Sequence, residues 1–318
     1  MDVRVIERPA VDLPAWDALV QYRSFFQTVA WADVCAAGMG RQARAVFLCA
    51  FEDGVLKAGL PAITTRRFGL KSFFSMPYGT YGGAVYDPGV DDEFKRRFCG
   101  SLTTTLDTGR FWYIDITDYF DSLRLWSDCP LIRTRYETHI IELQDGVEFM
   151  PSDKGTAGDI RAGEKRGGRI VTIDSGRLND FFRLYRLTEK RHGRTRLRYS
   201  REFFKAILDH LGRIDRLYWT GFEAEGTLIG SQINFVYGDT LFYWQAVSDY
   251  DKRWYKPNQA LLYDAILHAG EKGLRQVNLG GSPQDAVGLR KFKEQWGGQP
   301  MAYDMYSYRS RLHRLIRR

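Results

Sequence analysis

The sequence predicts two related α/β domains in tandem, and three observations carry that prediction. At 318 residues the chain is longer than one domain of usual size needs. Strand-like and helix-like segments alternate through both halves. A faint repeat also recurs at an offset of 171 residues, where Phe51-Glu52 and Gly59 correspond to Phe222-Glu223 and Gly230. Each set sits in a hairpin, and in each half a longer helix and another strand follow.

In the first half, period-2 and apolar runs place strands at 45–51, 56–63, 111–116 and 138–143. Helical spacing covers 13–22, 29–37 and 93–106. In the second half the same reading gives helices at 178–190, 201–211, 259–272 and 288–296, with strands at 216–222, 229–237, 240–246, 275–279 and 301–308. The domain boundary is expected in the polar, glycine-containing stretch after Leu143. That makes residues 1–146 one domain and 147–308 the second, with 309–318 a basic tail.

Composition narrows the function classes. With 44% hydrophobic and 27% charged residues the chain can bury two cores, and no segment reads as disordered. The N-terminal residues carry acids and lack an apolar run before a cleavage site, so a cytoplasmic protein is expected. Cys35, Cys49, Cys99 and Cys129 have neither CxxC spacing nor clustered histidines, which points away from a metal site. Residues 1–146 hold 16 Lys+Arg against 19 Asp+Glu, so the net charge of +7 comes entirely from the second half. A field of that sign suits phosphate-bearing ligands: nucleic acid, coenzyme or anionic lipid.

The most informative stretch begins at Thr240. An aromatic strand enters a polar loop, Lys256-Pro257-Asn258 opens a helix, and a strand ends in Leu279-Gly280-Gly281. Leu289-Arg290-Lys291-Phe292-Lys293 then leads to a Trp296-Gly297-Gly298 turn before Pro300. Upstream, 159–168 form a basic segment of R-x-A-x-K-x-G type. These motifs resemble the second domain of the FemABX family and the related Fem-like acetyltransferases of the GNAT superfamily. The resemblance covers 150–300 well. It is weaker in the first half, at Gln27-Thr28-Val29-Ala30-Trp31 and at Pro77-Tyr78-Gly79 through Tyr86-Asp87-Pro88.

That resemblance implies two GNAT-like domains, each a mixed sheet flanked by helices, and an N-acyltransferase that moves an activated acyl or aminoacyl group onto an amine without a covalent enzyme intermediate. Lys293 is then the residue closest to chemistry, stabilising the oxyanion or orienting the donor, and Phe292 walls the acyl pocket. The residues alone also permit a solvated lysine on a charged helix and a core phenylalanine. Lys256 and Asn258, at a helix start that favours anions, and Arg161 and Lys165 in the basic segment, are candidates for donor phosphate. Asn258 could equally be a plain N-cap. Tyr243, Trp244 and Gln245 are candidates for the pocket.

The donor is expected to be a co-substrate, with no bound cofactor or metal. The segment 253–258 lacks the R/Q-x-x-G-x-G/A glycines that cradle coenzyme A in ordinary GNAT enzymes, which favours aminoacyl-tRNA over acyl-CoA or acyl-carrier protein. Expected partners are an amine-bearing acceptor, lipid- or sugar-linked, and tRNA. The tail adds contact with an anionic membrane, through Leu312, Leu315 and Ile316 and the arginines around them. A basic binding module that kept the fold without catalysis is the reading from another class. The basic run from Arg183 to Arg201 suits tRNA or lipid phosphate, although such runs are more often solvated helix faces. His192, His210 and His268 read as surface or packing residues.

Overall fold

The computed structural model describes residues 1–21, 23–106, 111–120, 124–127, 129–282 and 286–310. In chain order the elements are β1 (Asp2–Glu7), α1 (Leu13–Val20), α2 (Val29–Gly38), β2 (Ala43–Glu52), β3 (Val55–Arg67), β4 (Leu70–Ser75), β5 (Val85–Tyr86), α3 (Asp92–Thr105), β6 (Phe111–Asp118) and β7 (Ile132–Glu142). There follow α4 (Lys154–Lys165), β8 (Arg169–Thr172), α5 (Leu178–Arg191), α6 (Arg201–Leu211), β9 (Leu217–Ala224), β10 (Thr227–Tyr237) and β11 (Thr240–Ser248). The chain continues with α7 (Pro257–Glu271), β12 (Gln276–Ser282), α8 (Val287–Gln295) and β13 (Gln299–Arg309).

Packing divides the chain into two units, one of residues 1–136 and 302–318 and one of 137–301. In the first, the strand order is β1-β2-β3-β4-β6-β13, with β5 beside β3. All neighbours are antiparallel except β4 and β6. In the second, β8-β9-β10-β11-β12-β7 has the same sequence of senses, with β11 and β12 as its one parallel pair. Two sheets with the same succession of strand senses are therefore present, as expected of a tandem repeat. The expected boundary at 146/147 differs from this division because residues 137–142 pair with β12, whereas 304–309 pair with β6. The strand predicted at 301–308 thus closes the first sheet, not the second.

The repeat seen in the sequence has a physical basis. The β2–β3 turn is Asp53-Gly54 and the β9–β10 turn is Glu225-Gly226, all four residues at positive φ. Each hairpin carries a register shift near its turn. Gly59 and Gly230 both sit where the sheet meets a helix. A Cβ would lie 2.4 Å from the Trp16 ring at Gly59 and 2.7 Å from Pro257 Cβ at Gly230.

Helices cover both faces of each sheet. In the first unit Trp16 of α1 meets Phe47 edge-on at 4.6 Å, while Phe94, Phe98 and Leu102 of α3 pack with Val46, Leu48 and Ala50. In the second, Phe181 of α5 and Phe204 of α6 close on Trp219, and Leu262, Ala265 and Ile266 of α7 pack with Leu241 and Val277. An edge-on aromatic pair adds about 1 kcal/mol beyond its burial. Helix starts follow sequence chemistry: Asp12, Thr28, Asp91 and Ser200 accept from Ala15, Trp31, Phe94 and Phe203 backbone N–H groups. The two first-half motifs are joined, since Gln27 Nε2 donates to Gly82 O at 2.7 Å and Trp31 Nε1 to Thr80 Oγ1 at 3.3 Å.

The β3–β4 hairpin has a two-residue tip, Phe68-Gly69, with φ of 49° and 78°. Such a turn favours asparagine at its first position, and a bulky residue there costs roughly 1–2 kcal/mol. The apolar stripe predicted at Leu312, Leu315 and Ile316 lies outside the described residues. Among the described residues no helix is long and apolar enough to cross a membrane.

Candidate active site

The second unit opens where its two parallel strands part. β11 pairs with β12 only at Thr240, Leu241 and Phe242, opposite Gln276, Val277 and Asn278. From Tyr243 onward β11 is paired, among the described residues, with β10 alone, and a bulge at Trp244 interrupts that ladder. β12 shifts register against β7 between Asn278 and Gly281, and Gly280 takes a φ of 74°. Asn278 fixes the shift, because its Oδ1 accepts from Gly280 N at 2.9 Å and from Thr138 Oγ1 at 2.7 Å.

Lys293 reaches this diverging edge from α8. Its Nζ donates to Gly280 O at 2.6 Å, to Ser282 Oγ at 2.9 Å and to Gly281 O at 3.2 Å. The side chain is only 2% exposed, which excludes the solvated lysine that the charged run suggested. Burial pushes its pKa down to about 7. His139 on β7 lies close enough to feel it: burial, then the Lys293 charge, lowers the imidazole pKa. His139 Nδ1 is buried and, among the described residues, has no hydrogen-bond partner. Nothing in the sequence marked His139, since it is one position in an ordinary strand.

The other predicted residues fall into three places. Phe292 is half-buried, 6.2 Å from the Trp296 ring, and belongs to the apolar cluster with Leu279. Tyr243 joins that cluster from β11, and Gln245 is half-buried with Nε2 on Ala246 O at 3.3 Å. Trp244 points to the opposite packing layer, where its half-buried ring lies against Tyr199, Phe203 and Phe235.

At the start of α7, Lys256 is the N-cap in a left-handed conformation, with Asn258 one turn position inside the helix. Lys256 Nζ pairs with Asp159 at 2.8 Å, which matches its charge within the protein. Asn258 Oδ1 is buried and, among the described residues, has no partner; the N-cap position is held by Lys256, so the plain N-cap role does not hold for Asn258. Arg161 and Lys165 are exposed on α4. The end of α4 reaches the turn before α7, where Arg166 donates to Trp254 O.

Several arginines of the predicted basic run are engaged locally. Arg183 donates to Leu228 O, Arg194 pairs with Glu189 and Arg201 bonds Asn179. His268 stacks on Tyr218 with centroids 3.7 Å apart, a packing role. The first unit holds a cleft of about 430 Å³ lined by Arg124, Arg133, Arg135, Tyr119, Tyr303 and Asp304, with Arg133 paired to Asp304 at 2.8 Å. Sequence reading missed it because its arginines come from separate segments. Among the described residues, no cluster of three His, Cys, Asp or Glu side chains could hold a metal ion.

Residues 154–294 match the family described as the acetyltransferase (GNAT) domain. None of the curated proteins matches the chain. Among solved structures, FemX overlays with a TM-score of 0.74 at 16% identity, covering 100% of both chains. The C-terminal domain of a putative lysylphosphatidylglycerol synthetase from Agrobacterium fabrum gives 0.63 at 12%, covering 96% of this chain and 94% of that one. A tandem GNAT protein from the clavulanic acid biosynthesis pathway gives 0.61 at 12%, over 96% and 98%. Residues 154–294 thus match a GNAT acetyltransferase domain, in a chain whose fold is that of the tandem GNAT proteins along its whole length.

Proposed function

We propose that this chain is an amide-forming N-acyltransferase whose donor is an aminoacyl-tRNA and whose chemistry takes place at the parting of β11 and β12. The observation that carries the proposal is the buried Lys293, whose Nζ is held by Gly280 O, Gly281 O and Ser282 Oγ on the edge of β12 beside the opening, with no carboxylate partner among the described residues. The unpaired side of β11 offers backbone groups that can align an ester and its acyl chain in the manner of an added strand. Bringing acceptor amine and activated carbonyl together in that groove supplies much of the rate.

As the neutral amine attacks and its C–N bond forms, negative charge grows on the carbonyl oxygen. Collapse then breaks the ester C–O bond, and the proton lost by the amine passes to the departing ribose oxygen of the tRNA, which leaves as a hydroxyl. Lys293 carries a compensating positive charge, and its longest bond, to Gly281 O at 3.2 Å, is the one that can be exchanged for the oxyanion. Phe292 and Tyr243 line the apolar side. Arg161 and Lys165, exposed on α4, take the donor's phosphates, while Lys256 keeps the α7 start in place through Asp159. The turn 250–255 contains no glycine, which argues against a coenzyme A pyrophosphate cradle there. Resemblance of the 150–300 region to FemABX proteins supports the same donor.

The test is mass spectrometry of candidate amines incubated with the purified chain, in one arm with charged tRNA and in the other with an acyl-CoA panel. Amide product in the tRNA arm alone is expected. Product only with acyl-CoA would replace the donor, and none in either arm, with a broad range of acceptors, would leave a binding module.

A further inference from the structure

One end of the β2–β3–β4 hairpin pair in the first unit is strongly basic and carries an exposed aromatic ring. From position 38 to 75 the acids are Glu52 and Asp53, both at the opposite end of β2 and β3. At the other end Arg41, Arg44 and Arg66 line an open cleft of about 660 Å³ together with Gln42, Phe68 and Gly69. Lys71 faces Arg66 across the β3–β4 ladder. Among the described residues, none of these four cations has an acidic partner. Phe68 stands at the tip, 89% exposed.

We infer that this end of the first unit is a docking surface for an anionic phospholipid bilayer, with Phe68 entering the headgroup–acyl boundary and the arginines taking lipid phosphates. The layering fits that partner. Arg66 and Lys71 are two residues behind the tip, about 7 Å at the rise of a strand. A ring that leads and cations that follow at that depth match an interface whose phosphate plane lies outside its apolar boundary. A single-stranded nucleic acid is a poorer match, since it calls for successive aromatic platforms on which bases stack, and this cleft is lined by one ring. Turn chemistry gives no reason for the ring either, because asparagine would suit the first position of this turn better. The inference is independent of the acyl-transfer reading.

The experiment is co-sedimentation of the full chain with phosphatidylcholine vesicles, with or without phosphatidylglycerol, at low and high salt, alongside a single-stranded RNA oligonucleotide titration. Binding is expected only to the phosphatidylglycerol vesicles, weakening with salt. Phe68→Asn should keep or raise the thermal midpoint yet lower partitioning about tenfold, the loss expected for one buried ring. The double variant Arg41→Glu with Arg66→Glu should lose still more. Equal partitioning of Phe68→Asn and the parent, no binding to phosphatidylglycerol, or tight RNA binding that the double variant abolishes while vesicles are ignored would each overturn the inference.

Discussion

Lys293 Nζ lies 2.6 Å from the carbonyl oxygen of Gly280, so a buried ammonium and a strand edge at positive φ hold each other in place. That bond ties α8 to the shifted end of β12. It makes the same residue both a structural clamp and the centre of the proposed chemistry, and the two roles can be separated by measurement.

Lys293→Ala should reduce turnover by about two to three orders of magnitude, the usual loss when an oxyanion contact is removed. It should also lower stability by roughly 1–3 kcal/mol, because Gly280 O and Gly281 O lose their donor in a buried setting. Steady-state kinetics and chemical denaturation on one sample distinguish this from a surface lysine, which would leave the denaturation midpoint unmoved.

Stability should depend on pH in a defined direction. Lys293 has a folded pKa of about 7, below its unfolded value near 10.4. Between those values the unfolded state binds more protons, so unfolding free energy rises with pH; the burden of burying the charge is full below about 7 and gone above about 10.4. Parent minus Lys293→Met midpoints, measured from pH 6.5 to 9.5, should therefore grow more positive. A flat difference would mean that the lysine is not depressed.

Gly59→Ala and Gly230→Ala should each destabilise the protein by about 1–3 kcal/mol, since the new methyl groups meet Trp16 and Pro257 at 2.4 and 2.7 Å. Gly100→Ala, with no atom within 4 Å of its Cβ, is the control and should be neutral or slightly stabilising. Thermal melts are sufficient to compare them.

Replacing Arg161 and Lys165 together by glutamate should raise the KM for a phosphate-rich donor about tenfold or more and leave kcat nearly unchanged, because both side chains are exposed on α4. The salt dependence of kcat/KM should flatten in the same variant. A fall in kcat at constant KM would remove these two residues from donor binding.

Much of the fold was legible because periodicity reports packing. Gly59 and Gly230 appeared as matched positions of a faint repeat and proved to be sites where a helix side chain packs closely on each sheet. The strands β1 and β8 escaped notice for the opposite reason, being edge strands with mostly exposed faces, and β4 because its burial, with Ser72, Phe73 and Ser75 inside, follows no alternation. The helix α4 was seen only as a basic motif, its polar residues hiding the Ile160 contact that anchors it. At the site, resemblance picked out Lys293, but its burial could not be read from a run of charged neighbours. His139 gave no local signal, because what distinguishes it is proximity to Lys293 from a residue more than 150 positions away.

Strand β13 has a consequence for how the protein comes to exist. Its residues 304–309 supply the partner of β6, yet they are synthesised about 190 residues after β6 itself. The first unit therefore waits on the ribosome with an open sheet edge while the whole second unit emerges. An exposed strand edge is a template for foreign pairing. Nascent chains stalled before Met301 should accordingly be the species that chaperones bind and proteases cut in the first unit, and release of the last strand should end that exposure.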